Sequence, residues 1–400
     1  MQDSKRQSRI LILQFMMIIA GILVGLSNFV ILHQIALFIS DIFIKIFRAI
    51  SLPIIALSII VTMSKLHTDA IMPKLWKKTI FYTFASTIIA ASMSCVLYLI
   101  IKPSNIIVNT MLDNKTIDNS NTYFQYLKAI IPNNVFAPFI EYNVIGVLLL
   151  GITIGLAINF IPDDNAKKTI NNFFNGLHMI LIIVTGWIIR LLPVGIFGFI
   201  ATLIVQLKSG VNVNGLGQYL MIVILSNLVQ GFIVLPIWLK FNQISPIKMM
   251  RAMYPALSLA FFSKSSAGTL PVTINVASTR ANIKPKVSQF VLPFCTTINM
   301  NGCAAFIFTT VIYVMQNYHV HIDLFTMLAW IIIATIAAIG NAGVPMGCFF
   351  LSMSLLSSMN IPVNLMGIIL PFYTVIDMVE TALNVWSDSC VAKVIDKKVT

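Results

Sequence analysis

Charge is what this sequence lacks. Charged residues occupy 10% of its 400 positions, against roughly 25% in a soluble globular chain, so an ordinary water-facing surface is excluded. Acids are scarcest, 13 against 26 lysines and arginines. Cysteines are few and unpatterned. Cys95, Cys295, Cys303, Cys348 and Cys390 lie in or beside apolar segments without a CxxC spacing, and no disulfide or zinc site is implied. The histidines (His33, His67, His178, His319, His321) are scattered or sit in loops and form no metal-ligand pattern. The basic stretch MQDSKRQSRI leads into an apolar run too long for a signal h-region, with no small-residue cleavage site, so a retained first span is expected.

Apolar residues are abundant, at 58% with a mean hydropathy of +0.91. A helix crossing a bilayer needs about 20 mostly apolar residues, and runs of that kind fill the chain. Six spans are expected at about Ile10–His33, Asp41–Leu66, Thr79–Ile101, Tyr142–Ile161, Gly176–Gln206 and Tyr219–Phe241. An Asn-rich polar segment, KPSNIIVNTMLDNKTIDNSNTYFQYLKAIIPNN, follows the third. These features predict an all-α, polytopic membrane protein.

The net charge of +13 does not point to nucleic acid, because the cations cluster between spans. With both termini cytoplasmic, the inner segments hold Lys5, Arg6, Arg9, Lys65, Lys74, Lys77, Lys78, Lys167, Lys168, Lys240, Lys248, Arg251, Lys393, Lys397 and Lys398. The outer segments hold only Lys102, Lys115, Lys128 and Lys208. Such an excess is the positive-inside pattern. Lys45, Arg48 and Arg190, within spans, read as snorkelling or packed side chains.

Beyond Lys240 the spans are interrupted. SLAFFSKSSAGTLPVTINVAS and LAWIIIATIAAIGNAGVPMGCFFLSMSLLSS each place a Ser/Gly/Pro-rich centre between apolar arms, and TTINMNGCAA breaks a third apolar segment between them. Irregular backbone at membrane depth is tolerated where protein buries it or it lines a cavity. Paired interrupted segments mark the binding region of secondary transporters.

The last apolar segment contains IDMVETALNVWSD, with three acids and no cation. Asp377, Glu380, Thr381, Asn384 and Asp388 fall at helical offsets 0, +3, +4, +7 and +11, on one face. Val379, Leu383 and Val385 offer apolar packing on the other. An ionised group at that depth needs a partner or hydration. Lys264, a bound cation or a substrate ammonium could supply the positive charge, while half-helix N-termini suit a carboxylate. The residues therefore suggest a zwitterion carried together with a cation.

SKSSAGTLPVT, INMNGC, GNAGVP and DMVETALNVWSD, in this order, closely resemble the four binding motifs of the dicarboxylate/amino acid:cation symporters, the glutamate-transporter family. IFIKIFRAISLPIIALSII, IPNNVFAPF and LLPVGIFGFIA extend the resemblance to nearly the whole chain. It implies eight membrane helices and two re-entrant hairpins, at about Ser245–Val276 and Ile331–Ser358, in an elevator-type homotrimer. Residues 1–77 and 135–210 would form the scaffold, 78–102 and 211–400 the transport domain, and 103–134 an extracellular loop. Arg280, Lys284 and Lys286 would join the cytoplasmic charges.

Residue by residue, the resemblance implies that Ser265, Ser266, Asn384 and hairpin-two backbone near Val344 and Gly347 hold the substrate carboxylate. Asp377, helped by Thr381, would hold the amino group, with Cys303 and Glu380 at the side chain. One sodium ion would lie with Asn299, Asn384 and Asp388, and a second with Thr297, Met300, Ala338, Ile339 and Asn341. A third, degenerate site would involve Ser86, Thr87 and Asn301.

The departures carry the specificity. Glu380 stands where acidic-substrate members have Arg, Cys303 where they have Thr, and Tyr373 where an Asp supports that Arg. An acidic substrate would set its carboxylate against Glu380, at a cost of several kcal/mol in a low dielectric unless one group is protonated. A neutral, dipolar (cystine-like) or cationic amino acid is therefore expected, with sodium, protons or both as coupling ions and no further cofactor. NMNGC replaces the family's NMDGT, and Thr83 a Tyr, so fewer coupled cations are expected. Alternatives are an acidic amino-acid or dicarboxylate symporter and an anion or cation channel. A membrane enzyme using Ser265 and Asp377 is disfavoured, since no base stands near the serine in the sequence.

Overall fold

In lipid the backbone must satisfy its own polar groups, which a helix does within one segment, and every regular element among the described residues is helical. The computed structural model describes residues 2–64, 73–106, 134–141, 143–208, 214–339, 341 and 346–399. Among them the helices are α1 (Gln2–Leu26), α2 (Val30–Ser64), α3 (Pro73–Ile101), the single turn α4 (Ala137–Ile140), α5 (Val144–Asn159) and α6 (Asp164–Lys208). Then come α7 (Asn214–Val229), a π-turn (Gln230–Val234), α8 (Leu235–Phe241), α9 (Pro246–Ser263) and α10 (Ser266–Thr279). The last are α11 (Pro285–Ile298), α12 (Asn301–Asn317), α13 (Leu324–Ile339), α14 (Gly347–Ser358) and α15 (Asn364–Val399).

Among the described residues, six helical stretches are long and apolar enough to cross a membrane: Val30–Ser64, Leu75–Ile101, Asp164–Val205, Asn214–Phe241, Pro285–Asn317 and Asn364–Lys398. Of the eight expected spans, the first and fourth contribute shorter apolar helices, Leu13–Leu26 and Gly146–Asn159. Boundaries also differ. The first span ends at Leu26 rather than near His33, where Ser27 Oγ donates to Val24 O (2.7 Å), and α2 runs unbroken from Val30. The fifth begins a dozen residues earlier than its apolar run, because the Asp163 carboxylate accepts from the Asn165 and Ala166 amides (3.2 and 3.0 Å) and caps α6. The sequence 107–133, most of the polar loop, lies outside the described residues.

The π-turn has an identifiable cause. Pro236 has no N–H to offer the carbonyl five residues back, Gly231 O, and Trp386 Nε1 donates to that carbonyl instead (2.9 Å). This bond fastens the sixth span to α15 within two residues of Asn384.

The helices fall into two packing groups. In the first, α6 runs along α1 and α2, and α5 lies on α2. In the second, α3, α7 and the paired helices α9/α10 and α13/α14 surround α11, α12 and α15. Residues 301–315 of α12 are all buried, which makes it the axis of that group. The groups meet where Phe47 sets its ring edge-on to Phe349 and Phe350 (centroids 6.0 and 5.3 Å). Beside these rings, Ser354 Oγ donates to Ser51 Oγ (2.7 Å).

One end of the second group gathers the cations. Lys393 Nζ donates to Ala281 O and Asn282 O (2.9 and 2.8 Å), and Lys397 Nζ to Asn242 O (2.9 Å). Lys78 Nζ reaches Lys398 O (2.9 Å), and Lys398 Nζ reaches Tyr82 Oη (2.8 Å). Lys78, Lys393 and Lys397 thereby satisfy carbonyls left over at helix C-termini. All of them belong to segments expected on the same side of the bilayer.

Close helix approach rests on glycine at Gly155 in α5. A Cβ there would stand 2.5 Å from Met63 Cβ and 2.9 Å from Ile60 O. Gly155→Ala is expected to destabilise the protein by about 1–3 kcal/mol, seen as a lowered midpoint of thermal unfolding in detergent. Gly176→Ala, with nothing within 4 Å of the new methyl, should leave that midpoint unchanged or raise it.

Candidate functional site

The two interrupted segments become pairs of helices, α9/α10 and α13/α14, that pack around α15. In the first, Lys264 takes a left-handed conformation (φ 54°) that ends α9, and Ser265 caps α10 by accepting from the Gly268 amide (3.0 Å). The 14-residue α10 thus presents its N-terminus, with Lys264, Ser265 and Ser266, to a cleft. Such an end favours a negative group. In the second hairpin α13 stops at Ile339 and α14 starts at Gly347, after Met346 in the left-handed region (φ 57°). Asn341 lies between them, and Val344 falls outside the described residues.

Between α11 and α12, Asn299 and Met300 leave helical geometry (φ −95°, ψ 67° and φ −100°, ψ 65°). This break frees two amide side chains at the centre of the bundle. Asn299 Nδ2 donates to Asp388 Oδ1 (2.9 Å) and to Ser387 Oγ (2.9 Å). Thr296 Oγ1 donates to Asp388 Oδ2 (3.3 Å). Asp388 is 1% exposed, and no basic side chain among the described residues pairs with it. A buried carboxylate held only by neutral donors has no counter-charge in the protein, so this arrangement fits a co-transported cation.

The expected degenerate site is closed by neutral hydrogen bonds. Asn301 Oδ1 accepts from Thr87 Oγ1 (3.0 Å) and Ser86 Oγ (3.4 Å), while Asn301 Nδ2 donates to Ser387 Oγ (2.7 Å). Ser86 Oγ also donates to Asn299 Oδ1 (2.8 Å). The amide thus spends both acceptor and donor capacity on protein partners. Ser387, which receives two amide donors, was not singled out in the sequence, since a serine beside an acid carries no distinctive spacing.

Of the residues expected around a second sodium ion, Met300 and Asn341 line the cleft. Ala338 and Ile339 are the buried last turn of α13. Ala338 O already accepts from the Asn341 amide (3.1 Å), and Thr297 Oγ1 donates to Phe294 O (2.7 Å). Asn341 Oδ1 is buried without a hydrogen-bond partner.

The cleft is lined by Lys264, Ser265, Ser266, Met300, Cys303, Asn341, Asp377, Glu380, Thr381 and Asn384. Convergent polar groups of this kind mark small-molecule sites. The cleft gathers every substrate residue expected from the sequence except Val344 and Gly347; Gly347 is buried at the start of α14. Asn384 Oδ1 accepts from the Gly302 amide (2.8 Å), so its oxygen is committed to α12. Asn384 Nδ2 points at Met300 Sδ (3.5 Å) and Cys303 Sγ (3.6 Å).

Glu380 is 1% exposed; its Oε2 accepts from Tyr373 Oη (3.3 Å) and its Oε1 has no hydrogen-bond partner. Gly302 explains its depth, because a Cβ at 302 would meet Glu380 Cα at 2.8 Å and Asn227 Oδ1 at 2.9 Å. Asp377 and Glu380 both face the cleft, where Lys264 is the sole basic side chain among the described lining residues. Two carboxylates sharing one desolvated cleft favour a cationic or dipolar group between them.

The cysteine expectation is corrected here. The sulfur atoms of Cys303 and Cys348 meet in bonding contact, with Cα atoms 5.4 Å apart, as a disulfide. A separation of 45 residues hides the pairing in the sequence, since folding alone brings α12 and α14 together. Asn341 Nδ2 points at both sulfurs (2.8 and 3.1 Å).

A model of the sodium:dicarboxylate symporter family matches residues 10–398. The chain is 33% identical over 257 residues to a putative sodium-dependent excitatory amino acid transporter, glt-4, of Caenorhabditis elegans (64% of this chain, 51% of that protein). It is 28% identical over 249 residues to neutral amino acid transporter B(0) of Oryctolagus cuniculus (62% and 46%). It is equally similar to neutral amino acid transporter A of Homo sapiens (28% over 249 residues; 62% and 46%). The matched stretch spans about half the length of these curated relatives.

Ser387→Ala would strand the amide donors of Asn299 and Asn301 at full burial. A loss of about 1–3 kcal/mol in stability is expected, measured as a lower thermal midpoint, while Ser389→Ala, whose hydroxyl only returns to Val385 O, should shift it far less.

Proposed function

The chain belongs to the sodium:dicarboxylate symporter family, and from that premise we propose a secondary active symporter that couples inward sodium movement to uptake of a neutral, dipolar or cationic amino acid. It is a multi-pass integral membrane transporter rather than an enzyme. The substrate α-carboxylate lies at the α10 N-terminus with Ser265 and Ser266. The ammonium lies at Asp377 and Thr381, and the side chain faces Glu380 and Cys303. The observation that carries this reading is Glu380, fully buried on the cleft wall with one oxygen free of hydrogen bonds. A free carboxylate oxygen there repels an acidic side chain and accepts a donor from a polar or positive one.

Sodium travels with the substrate. Asp388, Asn299 and Asn384 serve one ion, with Asp388 as the charge, and Thr297, Met300, Ala338, Ile339 and Asn341 the other. At the third position Asn301 provides an amide where a carboxylate would be needed, so coupling involves fewer ions, with a proton on Glu380 as a further coupling route. The chain works as a homotrimer in the cell membrane with both termini in the cytoplasm. The group built on α12 and α15 slides against the group built on α2 and α6 as an elevator.

The names of the relatives include both excitatory and neutral amino acid transporters, so an acidic substrate is the second reading. Competitive uptake into proteoliposomes, with every amino acid and cystine tested under imposed sodium or proton gradients, separates the two. Neutral or cationic competitors are expected to block uptake at least tenfold more effectively than glutamate or aspartate. Glu380→Arg should move that preference towards acidic substrates, and an unmoved preference would remove Glu380 from side-chain recognition. Uptake should rise with sodium at a power below three, whereas third-power dependence would restore the third ion.

A further inference from the structure

We propose that the groove between α3 and the π-turn binds an anionic phospholipid, with an acyl chain in the groove and the phosphate at Lys78 and Lys398. The groove shares no lining residue with the substrate cleft, and the inference does not rest on the substrate assigned to that cleft. Two helical rows form it. Phe81, Ala85 and Ile89 recur every four residues on α3, with Tyr82 and Ser86 beside them. Gln230, Val234 and Trp238 recur likewise across the π-turn into α8. Gln230 Nε2 donates to Ser86 O (3.3 Å) and ties the two rows together. From Phe81 to Ile89 the groove runs about 12 Å along α3, room for the first part of an acyl chain. Phe81 and Ile89 are 67% and 42% exposed, so the groove opens outwards to the lipid that surrounds a multi-pass membrane protein.

Charge selects the kind of lipid. At the end nearer Lys78, Tyr82 and Trp238 face each other with ring centroids 5.5 Å apart, the amphipathic rings expected at headgroup depth. Lys398 Nζ stands 5.1 Å from the centre of the Tyr82 ring and donates to its hydroxyl (2.8 Å). Lys78, one turn before Tyr82 on α3, donates to Lys398 O (2.9 Å). An ammonium carries three donors, and neither lysine pairs with a carboxylate among the described residues. A zwitterionic headgroup would bring a cation of its own against this pair, whereas a phosphatidylglycerol headgroup brings the phosphate alone. Basic pockets between membrane helices hold anionic headgroups in this way. The floor of the groove also matters. Ser86 donates to Asn299 Oδ1 (2.8 Å), and Asn299 holds Asp388 (2.9 Å). A seated acyl chain therefore lies two hydrogen bonds from the buried carboxylate and keeps water from that side of its network.

The test uses the full chain reconstituted in phosphatidylcholine vesicles that carry a minor fraction of chain-brominated phosphatidylglycerol or chain-brominated phosphatidylcholine. Bromine quenches a tryptophan that it touches, and Trp238 lines the groove. Phosphatidylglycerol is expected to quench at the lower mole fraction, and this excess should vanish in Trp238→Phe. Lys78→Gln combined with Lys398→Gln should raise the half-quenching mole fraction roughly tenfold or more, each lysine near the surface contributing about fivefold. Lys284→Gln combined with Lys286→Gln removes the same charge from exposed positions outside the groove and should leave that fraction nearly unchanged. Equal quenching by the two lipids overturns the proposal, as does an excess that survives in Trp238→Phe. A control pair that loses as much as the groove pair reduces the effect to diffuse attraction and overturns it too. Equal competition by a fatty acid would assign the groove to a single-chain carboxylate, and shielding of Trp238 from every lipid would assign it to protein. Either result overturns the phospholipid. No readout involves transport, so a wrong substrate assignment leaves the test intact.

Discussion

The structure turns on one hydrogen bond, from the Asn299 amide to the Asp388 carboxylate at 2.9 Å. A carboxylate at the centre of an apolar bundle requires donors, and a continuous helix has none to spare, because its amide groups are spent on its own carbonyls. The seventh span solves this by breaking at Asn299 and Met300. The break is itself tolerable only because α3, α15 and both hairpins wrap it away from lipid. The arrangement is mutual: the acid needs the interruption, and the interruption needs the surrounding helices. Ser86, Thr87 and Ser387 then complete a neutral network around it.

Much of this was legible in the sequence. Hydropathy located the long spans, and the one-face spacing of Asp377, Glu380, Thr381 and Asn384 located one wall of the cleft, with Asp388 on the same face beyond it. The Ser/Gly/Pro-rich centres located the changeover from α9 to α10 and the ends of α13 and α14 that flank the second interruption, since each marks where an apolar helix cannot continue. Span ends were less accurate. Capping by Asp163 and the uninterrupted apolar run of α2 extend helices beyond the windows that hydropathy alone delimits.

Long-range pairings could not be read at all. Ser387 meeting two amides, Trp386 serving the carbonyl that Pro236 leaves free, and Cys303 meeting Cys348 each join residues remote in sequence or on different helices. Nothing local distinguishes these residues from neighbours that merely pack. The departures from the family pattern were visible as single letters. Their meaning, that Asn301 is satisfied without a cation while Glu380 keeps a bare oxygen, required three dimensions.

Gly302 shows how such departures can arise without loss of the fold. Because it has no side chain, α12 lies directly against the Glu380 Cα, and its amide holds Asn384. The position of residue 380 is therefore set by backbone contact rather than by the chemistry of its own side chain. Under the proposed reading, a change of that side chain would alter what the cleft prefers while the hydrogen bonds of Asn384 and Asp388, one and two turns further along, stay in place. The backbone would then act as a fixed mount on which the group presented to the cargo can be exchanged.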